Sequence, residues 1–148
     1  MPVRTTTFGT ETLTANDLNS LAGAWNSYTP TLAQGASSNI AKTITYAKYL
    51  QFGKLVICQI YLVATGAGTA GSDITVTLPV TAARSGGMIG TGAYVDAGFT
   101  VYAAIAVFAS TTTVTLQRNE SGAGIGTDPN IAVASGDSFQ CTLLYEAA

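Results

Sequence analysis

From Tyr28 onward, apolar residues recur at alternate positions, and each such run ends in a cluster of Gly, Pro, Ser or Asn. A period of two belongs to the β-strand, whose side chains point to opposite faces in turn. Read this way, the chain has strands at Thr43–Tyr49, Leu55–Ala64, Ile74–Leu78, Met88–Tyr94, Val101–Ala109, Thr113–Gln117 and Ser138–Tyr145, with a weaker one near Tyr28–Leu32. Short strands in that number, separated by turn residues, predict an all-β fold: an antiparallel β-sandwich of the jelly-roll type over residues 28–148.

The faces follow from the alternation. In the long segment Leu55–Ala64, Val56, Cys58, Ile60, Leu62 and Ala64 share one side, and Leu55, Ile57, Gln59, Tyr61 and Val63 share the other. Both rows are largely apolar, so both need cover, and a neighbouring subunit is the economical source for the outer one. In the last segment Phe139, Cys141, Leu143 and Tyr145 alternate with more polar residues, which assigns the odd positions to the core. Charged residues are 9% of the chain, against roughly a quarter in ordinary soluble domains. So little charge with so much apolar strand surface predicts an obligate oligomer, with Ile57 and Tyr61 at its interface.

Several classes of function are disfavoured. The six basic residues are scattered, which leaves no stripe able to neutralise a phosphate backbone, so nucleic acid is not an expected partner. No apolar run approaches the ~20 residues of a membrane span. The segment MPVRTTTFG has no apolar signal-peptide core, which places synthesis and assembly in a cytoplasm. In that compartment Cys58 and Cys141 are expected as buried free thiols, and their spacing matches no metal or redox motif. The chain has no histidine, so the common nucleophilic triads lack their base, and its eight carboxylates sit mostly at turns and caps. No enzymatic activity and no cofactor is expected.

Before the strands, Thr14 and Asp17 have capping-box spacing, and Leu13 and Leu18 can staple the start of a helix. Leu18, Leu21, Ala22 and Trp25 then fall on one helical face, with Gly23 as a stop. So short a helix draws its stability from the surface it docks on. Residues 1–27 therefore read as an arm carrying an anchor at Leu18, Leu21 and Trp25, although packing against its own β domain would use the same stripe.

Two stretches carry no strand pattern, 66–73 and the Gly-rich 119–130. The second is longer than most connections, so it is either a binding loop or a tolerated tip. Gly122, Gly124 and Gly126 do not make a phosphate cradle, because no helix follows to supply an N-terminal dipole. Glu120, Asp128 and Asn130 are oxygen donors, but their spacing is not that of a calcium loop, and no metal is expected there.

Certain segments, in their order, resemble the small minor tail and tail-tip proteins of tailed bacteriophages infecting actinobacteria and similar hosts. They are the helix start from Thr10 to Asn19, Trp25-Asn26-Ser27-Tyr28-Thr29-Pro30-Thr31-Leu32, the stretch from Tyr46 to Val56, Thr77-Leu78-Pro79-Val80-Thr81-Ala82, and Ala134-Ser135-Gly136-Asp137-Ser138-Phe139. The resemblance implies a homotrimeric head, similar in outline to tumour necrosis factor-like jelly rolls, displayed on a virion. Other virion proteins would be its partners, and loop tips would be free to meet a host-surface glycan. The residues expected at such a contact are Tyr94, Phe99, Glu120, Asp128 and Asn130. Only about 25 residues precede the β region, a foot that would equally suit a capsid decoration protein. A different class of reading is a carbohydrate-binding module using Tyr94, Phe99 and Tyr102 as a sugar platform.

Overall fold

The structure is a computed structural model, and it describes residues 23–118 and 120–148. Nine strands follow one another: β1 (Asn26–Ser27), β2 (Leu32–Gln34), β3 (Lys42–Phe52), β4 (Leu55–Ala64), β5 (Ile74–Thr77), β6 (Met88–Asp96), β7 (Thr100–Phe108), β8 (Thr113–Gln117) and β9 (Ser138–Glu146). All pair antiparallel in one curled sheet of order β1-β3-β4-β9-β6-β7-β8-β5-β2. The fold is all-β, as the alternation predicts. Leu18 and Leu21 of the expected anchor helix lie outside the described residues. Trp25 is described, and it is not helical: it follows Gly23, whose φ is +71°, in the extended approach to β1.

The sheet's two edges belong to a single short segment. β1 pairs with β3 at Asn26↔Tyr49, and Tyr28 still donates its amide to the Ala47 carbonyl at 3.2 Å. Three residues later Thr31 has changed partner. Its amide donates to Thr77 Oγ1 at 2.8 Å, and its carbonyl accepts the Thr77 amide at 3.1 Å, after which β2 pairs with β5. Four residues can bridge the edges only if the sheet curls until β3 and β5 are neighbours. Pro30, which has no amide to lose, sits at the crossing. This is why the weak strand expected at Tyr28–Leu32 is absent and is replaced by short strands on either side of it.

Inside the curl lies one core. Val56, Cys58, Ile60, Leu62 and Ala64 of β4 are all buried, as are Phe139, Cys141, Leu143 and Tyr145 of β9, which is the face assignment read from the sequence. Cys58 and Cys141 are free thiols on adjacent strands, offset by two positions, with Cys58 opposite Leu143 and Cys141 opposite Ile60.

The long stretches between strands are ordered by buried polar side chains. Gln34, 1% exposed, accepts the Val133 amide at 2.8 Å and donates to the carbonyls of Ile131 at 2.6 Å and Ser72 at 3.2 Å. Asp137, 2% exposed, accepts the amides of Ala97 at 2.9 Å and Ala134 at 2.8 Å and the Tyr94 hydroxyl at 2.6 Å. Ile125 is buried in the middle of the Gly-rich stretch. A Cβ on Gly124 would come within 2.6 Å of Asp73 Oδ2 and of Thr115 Oγ1, so this glycine is there for close approach.

Candidate binding face

The core side of β3, β4, β9, β6 and β7 is filled by the molecule itself, and the other side faces outward. A bulge between Ile44 and Tyr46 matters here. Ile44 lies opposite the inward Leu62, whereas Tyr46 lies opposite the outward Tyr61, so the extra residue turns Tyr46 onto the outer face.

Register then fixes the outer rows. One row runs Tyr46–Tyr61–Gln140–Ala93–Ala103 across five strands. The next runs Lys48–Gln59–Thr142–Thr91–Ile105. Side chains shrink from the paired tyrosines to alanine along the first row. The step leaves a shallow groove of about 470 Å³, open to solvent and lined by Tyr46, Gln59, Tyr61, Ala93, Gln140 and Thr142 among others. Its side chains are phenols, amides, hydroxyls and methyls. Lys48 borders it, with Nζ 5.4 Å from the centroid of the Tyr46 ring.

Beyond the groove the same face becomes apolar. Leu50, Ile57 and Leu144 form a third row, and Phe52 and Leu55 continue it as far as Glu146. Phe52, Leu55 and Leu144 are 55%, 43% and 56% exposed. Ile57 and Tyr61, predicted together at an oligomer interface, thus fall in different places. Ile57 is in the apolar patch, and Tyr61 forms one wall of the groove.

The residues predicted for receptor contact scatter. Tyr94 is a correction: it is 1% exposed, its ring lies in the core beside Phe139, and its hydroxyl is held by Asp137. Burial and the adjacent carboxylate push its phenol well above the ordinary range. The alternation had placed Tyr94 on a strand without saying which row was inward. Phe99 is 86% exposed at the tip of the β6–β7 turn. Tyr102 packs against the core, so the platform of Tyr94, Phe99 and Tyr102 does not exist. Glu120 pairs with Arg118 at 3.1 Å, and Asp128 and Asn130 are exposed. Among the described residues no three Cys, Asp or Glu side chains converge as a metal site.

Sequence reasoning did not single out Tyr46, Gln59, Gln140 or Thr142 as a group. The available signal was the pair of amides set in rows otherwise built of aliphatic and aromatic residues. Their convergence needed the strand order β3-β4-β9-β6, which joins segments some 90 residues apart.

The arrangement is one antiparallel all-β sheet whose groove, among the described residues, is lined by neutral side chains. Compared with family models, characterised proteins and solved structures, the chain has no significant match.

Proposed function

We propose that the chain is a structural protein of a tailed-bacteriophage virion: a homotrimeric tail-tip or tail-fibre component, non-catalytic, whose curled sheet is a jelly-roll sandwich. In this reading the N-terminal arm, residues 1–27 with Leu18, Leu21 and Trp25, attaches it to the particle, and loop tips reach toward the host surface. The observation that carries the proposal is the outer face of β3, β4 and β9. In its apolar patch, among the described residues, Phe52, Leu55 and Leu144 are exposed and Leu50 and Ile57 are half-buried. An apolar cluster of this kind, in a chain with 9% charged residues, supports cover by a like subunit.

Mass spectrometry of purified particles, followed by electron microscopy with the chain tagged at its C-terminus, tests the reading. Density at the tail tip is the expected result. Density on the capsid shell would replace the tail assignment with decoration, and absence from particles would remove the virion reading altogether.

A further inference from the structure

The groove beside Tyr61 has a chemistry different from that of the apolar patch, and the difference indicates a different occupant. Tyr61 and Gln140 are direct cross-strand neighbours, as are Gln59 and Thr142, and Thr91 completes the second row. Two amides, each with donors and an acceptor, stand next to threonine hydroxyls and a phenol ring. The groove lining carries no charge, and the neighbouring Lys48 is turned over Tyr46. Such a site offers no charge to pair with an ion, and although Gln140 Nε2 donates to Ser138 Oγ at 3.3 Å, an apolar ligand would cover the remaining amide, phenol and threonine hydroxyl groups without giving them partners. A neutral ligand that has apolar ring faces and many hydroxyls satisfies both halves.

We infer that the Tyr61 groove binds a neutral carbohydrate, one or two sugar units of a larger glycan lying across β4, β9 and β6. The ring face of a sugar stacks on Tyr61, while its hydroxyls exchange hydrogen bonds with Gln59, Gln140, Thr142 and Thr91. Two strand spacings, about 10 Å, separate β4 from β6 and give room for that many rings. The volume of about 470 Å³ lies within the range of small-ligand sites, roughly 300–1,000 Å³. Because the site is shallow, affinity for a short sugar is expected to be about millimolar, with useful strength coming from several copies in one assembly. The inference gives chemical content to the host-contact part of the proposed reading, and it moves that contact from the loop tips to the sheet.

The test is amide-shift titration of the full chain with maltose, cellobiose, lactose and N,N′-diacetylchitobiose, each to about ten times a millimolar Kd. The expected result is saturable shifts for at least one sugar, confined to residues 59–61, 91–93 and 140–142. Tyr61→Ala and Gln140→Leu should each weaken binding about tenfold or more while the melting curve stays cooperative, and Phe99→Ala should leave it unchanged. Absence of saturable shifts with all four sugars overturns the inference, as do shifts centred elsewhere or undiminished binding by Tyr61→Ala. A fall in the native mass of Tyr61→Ala without any sugar response overturns it too, since the groove would then be an interface between copies. The virion reading is tested separately: a chain that binds no sugar but is found in particles refutes this inference alone.

Discussion

The side-chain carbonyl of Gln34 accepts the amide of Val133 at 2.8 Å, a buried bond across 99 residues that ties the second strand to the end of the Gly-rich stretch. With its amide nitrogen donating to Ile131 and Ser72, one side chain replaces the ladder that two irregular stretches lack.

Gln34→Leu should therefore cost roughly 2–4 kcal/mol, because it keeps the volume and strands a buried amide and two carbonyls. Urea unfolding measures the loss. Hydrogen exchange should show the Val133 amide losing its protection first, and equal protection in the variant would contradict this assignment.

One residue beyond Val133, the Ala134 amide is held by Asp137, which also accepts the Ala97 amide and the Tyr94 hydroxyl, the last at 2.6 Å. Tyr94→Phe removes one of three donors and should cost roughly 1–3 kcal/mol. Asp137→Ala removes the acceptor from all three and should cost more, by the same denaturation assay. A larger effect from Tyr94→Phe than from Asp137→Ala would contradict the geometry.

The extent to which this was legible in the sequence varied with the distance over which the information is carried. β4 and β9 could be read almost to the residue, including their inward rows, because alternation is local. The crossing at 28–31 could not, because its two halves pair with different strands, and nothing nearby announces a change of partner. Tyr94 was misread for a similar reason: a tyrosine in a strand is compatible with either face until the Asp137 carboxylate is found next to its hydroxyl. The Gly-rich stretch looked tolerant because its neighbours, Asp73, Thr115 and Gln34, are all distant in sequence.

The buried thiols lead to a pH dependence. Burial pushes the Cys58 thiol up from 9.0 to about 11, partly offset by its hydrogen bond to the Tyr28 hydroxyl, and burial raises Cys141 as well. The unfolded thiol ionises first as pH rises, so the stability that Cys58 contributes is constant below about pH 8 and is lost between about 9 and 11. That loss is roughly 2–3 kcal/mol. Melting curves at pH 7 and 11 should show a smaller pH-dependent loss in Cys58→Ala than in the parent chain. A thiol reagent at pH 7 should find no reactive group until the protein is unfolded, and then two.

If the apolar patch is covered by another copy, charge placed there should separate the copies and leave the fold intact. Leu55→Lys combined with Leu144→Lys changes two residues already 43% and 56% exposed and sets a cation opposite Glu146, so the monomer loses little. Far-ultraviolet circular dichroism should keep its β signature while sedimentation shows a smaller particle. Unfolding of the variant would mean instead that the patch is supported from within its own chain.

The claim on which the rest depends is that this chain is made to assemble with itself, and light scattering of the purified protein at micromolar concentration addresses it directly. The account predicts a mass of about 45 kDa, a trimer of the 15.1 kDa chain, unchanged on dilution through the micromolar range. A soluble, cooperatively folded monomer of 15.1 kDa under those conditions would contradict it.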